Sequence, residues 1–158
     1  MRKSDLLFFL SGAAALIDQV VWARLVGRIL GSDASGVTLV LGVFMLGLGA
    51  GARLFAPIAG RTRDPLRLFL LVQAGVATWT AASAFWLSQT PPVDGFGARI
   101  AFAAISLLPP TLGMGATFPL MGRLTILDSR SAGRDTAAFY GANTLGAATG
   151  ALAAPFPV

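Results

Sequence analysis

Few side chains in this sequence are able to move protons, electrons or metal ions. There is no Cys and no His, and all seven acids are Asp. Thiolate nucleophiles, imidazole bases, disulfides and Cys/His zinc sites are therefore excluded, and neither a metal nor a cofactor is expected. The most informative group is Asp18, which lies inside a long apolar run from Leu6 to Leu30. A charge at that depth in hydrocarbon costs several kcal/mol (roughly 3 on insertion scales) unless it is paired or hydrated. It marks either a proton, cation or substrate site in a water-filled path, or a protonated or paired group that locks helix packing. Gln19 extends the polar spot. Arg24 lies about 240° further around the helix and Arg28 about 15 Å further along it, so neither is a natural same-face partner. A partner from another helix is expected.

A second polar region is expected around Pro109-Pro110. Two successive prolines remove donors and clash with the preceding turn, which predicts a broken helix there. Freed backbone groups inside a membrane need protein or water partners, and in transporters such breaks line binding sites; the alternative is a packed kink. Thr111 follows the prolines, and Asn143 and Thr144 are candidates for the same cavity as Asp18 and Gln19. Arg24 and Arg28, four residues apart, share a helix face. They are expected to snorkel at the membrane edge, with binding of an anionic lipid head group or a substrate as the alternative. Gly47-Leu48-Gly49-Ala50-Gly51 superficially resembles a phosphate-binding loop. It lies within an apolar helix rather than after a strand, so Gly47 and Gly51 read as a close-packing face. Gly146, Gly150 and Ala154 make a second such stripe. Trp22, Trp79 and Trp86 read as lipid-facing or interfacial aromatics.

The elements that carry these residues follow from composition. The chain has 158 residues, of which 55% are hydrophobic and 12% charged. Mean hydropathy is +0.74. A soluble domain carries about 25% charged residues, so lipid is the expected solvent. Five apolar stretches, at about 6–30, 35–59, 66–88, 97–121 and 136–155, are each long enough to span. They are continuous and rich in Ala, Leu and Gly, which favours helices over the alternating strands of a barrel. The predicted fold is all-α, a single polytopic membrane bundle over 1–158 with its fourth helix broken at Pro109-Pro110. Connections are short, and none holds a soluble domain. Met1-Arg2-Lys3 begins like a signal peptide, but the apolar run continues through Val21 without a cleavage region, so an uncleaved first helix is expected. The net charge of +5 is assigned to topology and not to nucleic acid. Nine of the twelve basic residues (Arg2, Lys3, Arg53, Arg61, Arg63, Arg67, Arg123, Arg130 and Arg134) fall toward one side; Arg24, Arg28 and Arg99 fall toward the other. This places the N-terminus in the cytoplasm and the C-terminus outside it.

Three segments also carry a family resemblance. Phe8-Phe9-Leu10-Ser11-Gly12 with Gln19-Val20-Val21-Trp22-Ala23-Arg24-Leu25 resembles the opening helix of the spermidine synthase-like multispan membrane proteins. The segment from Leu108-Pro109-Pro110 through Thr117-Phe118-Pro119-Leu120 is similar to their broken-helix signature, and Phe139-Tyr140-Gly141-Ala142-Asn143-Thr144-Leu145-Gly146-Ala147 to the helix that follows. The Gly60-Arg61-Thr62-Arg63-Asp64 turn is also similar to the basic turn between the second and third helices of major-facilitator proteins. The resemblance implies a transporter-like domain in the inner membrane of a bacterium. Asp18 departs from it, because the family carries an uncharged residue there. Longer relatives continue into an aminopropyltransferase-like domain, which is expected to be absent here. The function expected is non-catalytic: an accessory subunit that docks into a larger membrane complex through its glycine-rich faces. The alternative is an oligomeric component of a small-solute transporter, for a polyamine-like cation or related metabolite. Expected partners are membrane lipids and other integral membrane chains, or further copies of the same chain.

Overall fold

The computed structural model describes residues 3–89, 94–126 and 132–154, and among these there is no strand. Five helices run in order: α1 (Lys3–Leu30), α2 (Asp33–Arg61), α3 (Pro65–Ser88), α4 (Phe96–Thr125) and α5 (Ala132–Ala153). They cover the five predicted stretches with modest shifts at their ends; the predicted end of the fifth at 155 lies outside the described residues. So do Arg2 and Arg130 of the basic set. Helices α1 to α4 are long and apolar enough to cross a membrane. Helix α5 is less apolar than these four and packs along α1 as the fifth helix of the bundle. Its residues 141–151 are rich in Gly, Ala and Thr, with Leu145 the single large aliphatic side chain among them.

Local chemistry accounts for the helix ends. Gly31 turns the chain at a φ of 73°, where a side chain would clash. The Ser32 hydroxyl then caps α2 by accepting from the Ser35 amide at 3.4 Å. Asp64 caps α3 by accepting from the Arg67 amide at 3.0 Å, and Pro65 stands at its first position, where no N–H is needed.

Helix α4 is the most buried, with α2 against one side and α3 against the opposite side. Its central turn corrects the expected break: the helix continues through Pro109, Pro110 and Pro119. The physical reason lies in substitute donors. Pro110 cannot donate to the Ser106 carbonyl four residues back, and the Trp79 indole N–H donates to that oxygen at 2.9 Å. Trp86 donates to the Ser106 hydroxyl at 3.1 Å, and its ring meets that of Trp79 edge-on at 5.6 Å. The Thr111 hydroxyl adds bonds to the carbonyls of Leu107 and Leu108 at 3.0 and 2.9 Å in the next turn, which the prolines do not orphan. The tryptophans are thus not simple lipid-facing aromatics. Trp22 is fully buried and donates to the Ser83 hydroxyl at 3.2 Å. An indole N–H inside hydrocarbon needs an acceptor, and the helix partners supply it.

Candidate functional site

Several polar side chains of α1 and α3 meet where these two helices run side by side. Three hydrogen bonds lace them. Gln73 donates to the Ser11 hydroxyl at 3.1 Å, Thr80 donates to the Asp18 carboxylate at 3.4 Å, and Trp22 reaches Ser83 as above. Ser11 and Asp18 are seven residues apart, as are Gln73 and Thr80, so two parallel helices bring both pairs into register. Between these bonds, with Met114 of α4 as a third wall, lies a partly open cavity of about 230 Å³. Ser11, Asp18, Gln73 and Thr80 provide its polar lining, and Ala14, Ala15, Val76 and Ala77 its apolar lining.

Asp18 is half-buried, and its bond from Thr80 is at the long end of the hydrogen-bonding range. A carboxylate has about four acceptor sites, so this one retains capacity for a donor or a cation entering the cavity. The low dielectric of the surroundings strengthens either interaction. No group of three or more His, Cys, Asp or Glu able to hold a metal ion occurs among the described residues.

The residues expected to share a path with Asp18 stand elsewhere. Gln19 lines a groove between α1 and α2 together with Arg24 and Asp33. Pro109 and Pro110 line a groove on the α3 side of α4 with Val72, Val76 and Trp79. Thr111 is buried on the opposite side of α4, where a β-carbon on Gly47 would strike its side chain. Asn143 lies between α5 and α1 against Gly12. Thr144 is exposed and donates to the Tyr140 carbonyl at 2.9 Å. One shared path is thus replaced by separate locations, because successive residues on a helix diverge by about 100°. Ser11, Gln73 and Thr80 are the lining residues that sequence reasoning missed, and their shared seven-residue spacing with Asp18 is the signal that pairs them.

Arg24 and Arg28 are exposed at the end of the bundle where α1 meets the start of α2. The glycine faces are occupied within the chain itself. A β-carbon on Gly51 would overlap the Leu112 carbonyl, and one on Gly146 or Gly150 would overlap the carbonyl of Phe9 or Ala13. Ala154 lies just past α5, half-buried, and its amide donates to the Gly150 carbonyl at 2.9 Å. No family model, no curated protein and no solved structure matches this chain.

Proposed function

We propose that this protein is a non-catalytic integral membrane subunit that works inside a larger membrane assembly. The observation that carries this reading is the partial enclosure of Asp18. A half-buried carboxylate with one long hydrogen bond, beside a cavity open between two membrane-length helices, is best stabilised by a further element that covers it. The glycine faces are spent on packing α2 to α4 and α5 to α1, so docking uses another face than the one expected from sequence. The lack of Cys, His and Glu supports a role without catalysis.

A second reading has its own observation. The polar-lined cavity of about 230 Å³ is large enough for a small cationic solute held by Asp18. In that reading the chain is one component of an oligomeric transporter for small amines. The orientation that fits both readings puts Arg61, Arg63, Arg67, Arg123 and Arg134 on the cytoplasmic side of a bacterial inner membrane. The resemblance to the spermidine synthase-like membrane proteins is consistent with that setting.

Purification from the native membrane in mild detergent, with particle mass and composition measured, tests the choice. A stoichiometric complex with other membrane chains supports the subunit. A lone homo-oligomer whose unfolding temperature rises with a small amine, and does so less in Asp18→Asn, overturns it in favour of transport.

A further inference from the structure

The cavity beside Asp18 has two polar ends and an apolar middle. Asp18 and Thr80 stand at one end, Ser11 and Gln73 at the other, and all four are half-buried. Between them the walls are Ala14 and Ala15 of α1, Val76 and Ala77 of α3, and Met114 of α4. Asp18 is the one charged residue in this lining.

The two ends differ in chemistry. Thr80 donates its hydroxyl proton to the Asp18 carboxylate, so the groups left at this end are acceptors: carboxylate oxygens and the Thr80 lone pairs. Such an end takes an ammonium, whose bonds to a carboxylate are charge-assisted. At the other end Gln73 spends an amide N–H on the Ser11 hydroxyl. That leaves Gln73 Oε1 to accept and the Ser11 O–H to donate. No acid lines this end, so a second ammonium there would lose hydration without gaining a counter-charge. A neutral group that donates and accepts at once, a hydroxyl or a primary amide, meets both partners.

Spacing sets the length of what fits. Ser11 and Asp18 are seven residues apart, as are Gln73 and Thr80. Two turns of helix rise about 10.5 Å. A hydrogen bond of about 2.9 Å at each end leaves roughly 5 Å between the ligand's polar atoms if both bonds lie along the helices, and roughly 10 Å if both lie across them. An extended chain advances about 1.2 Å per bond, so about three to seven carbons separate the two groups. Volume agrees. A dry cavity of about 150 Å³ holds benzene, with its six heavy atoms. By that measure the 230 Å³ here holds about seven to nine. The methylenes between the polar ends then rest on alanine, valine and methionine side chains, where their burial is favourable.

We propose that this cavity binds a linear aliphatic monoamine whose far end is a neutral hydroxyl or amide, about five carbons from the ammonium, and that it discriminates against diamines. The ammonium sits on Asp18 and Thr80, and the neutral end sits on Gln73 and Ser11. The inference rests on the second reading above, in which Asp18 holds a cation, and names the class of solute. It differs from the polyamine-like solute that the family resemblance implies, because a polyamine brings charges that one carboxylate does not match.

Titration calorimetry on the particle purified in mild detergent tests this, with aminopentanol (amine and hydroxyl at opposite ends), pentylamine, diaminopentane and ethanolamine as probes. Aminopentanol should bind tightest. Pentylamine lacks the hydroxyl and should bind about threefold to tenfold more weakly. Diaminopentane brings the second charge and should bind about tenfold more weakly or worse. Ethanolamine is too short to reach Gln73 and should lose about tenfold as well. The advantage of aminopentanol over pentylamine should vanish in Gln73→Met, whose side chain keeps the length and loses the amide. Asp18→Asn should bind none of the four, with helical circular dichroism checking the fold of both variants. The ranking on the unaltered protein decides the matter even where a variant misfolds. Equal affinity for aminopentanol and pentylamine, or tighter binding of diaminopentane, overturns the proposal; if Asp18→Asn still abolishes that binding, the cation reading survives without it. If none of the four binds up to about 10 mM, both fall.

Discussion

Replacing Trp79 with Phe probes how a membrane helix tolerates two successive prolines. The Ser106 carbonyl lacks its usual donor because Pro110 has no N–H, and the Trp79 indole supplies one at 2.9 Å. Phe retains most of the ring contact with Trp86 and deletes the donor. A neutral hydrogen bond contributes about 0.5–1.5 kcal/mol net, while leaving its buried acceptor unpaired costs about 1–3 kcal/mol. Interhelical bonds inside membranes average somewhat less, about 0.6 kcal/mol with a maximum near 1.7. The 2.9 Å geometry places Trp79→Phe at a loss of about 1–2 kcal/mol. The decisive comparison is the same change in a Pro110→Ala background, where the restored amide at position 110 donates to Ser106. There Trp79→Phe should cost under about 0.5 kcal/mol, giving a coupling of about 1 kcal/mol in a double-mutant cycle. Reversible unfolding in mixed micelles, followed by helical circular dichroism, measures all four proteins. A cost equal in both backgrounds within about 0.3 kcal/mol would refute the view that Trp79 replaces the missing amide.

Other outcomes follow from the same geometry. Gly150→Val forces a side chain onto the Ala13 carbonyl and should cost about 1–3 kcal/mol or more, whereas Gly49→Ala, with open space around it, should stabilise α2 by up to about 1 kcal/mol; melting temperatures in detergent decide both. Trp22→Phe leaves the fully buried Ser83 without its indole donor and should cost about 1 kcal/mol in the same assay. A reporter fused after Ala154 should read the side opposite the cytoplasm, and a cytoplasmic signal there would refute the assigned orientation. Asp18→Asn should preserve the fold and weaken the larger assembly, seen as loss of the larger particle on sizing in mild detergent.

The elements were legible in the sequence because each depends on its own residues. A continuous apolar run of 22 to 30 residues forms its helix whatever its neighbours do, and caps such as Asp64-Pro65 mark its ends locally. The prominence of Asp18 was legible for the same reason, since burial in lipid penalises a carboxylate before any partner is known. Its surroundings were not. The register that sets Thr80 beside Asp18 and Gln73 beside Ser11 depends on how two helices far apart in sequence slide and rotate against each other. The proline pair misled because the rule about prolines counts donors on one helix, and Trp79 comes from another.

The glycine stripes show the same division. Small residues four apart, as at Gly47 and Gly51 or Gly146 and Gly150, declare that a backbone will approach closely. Which backbone approaches is a tertiary fact: Leu112 for one and Ala13 for the other. The sequence by itself therefore determined the solvent, the helices and the cost of the Asp18 carboxylate, all of which are local balances of hydration and backbone hydrogen bonding. The tertiary structure decided which polar groups meet Asp18 and that the glycine faces are used internally. Those outcomes depend on packing between distant segments, and no single helix encodes them.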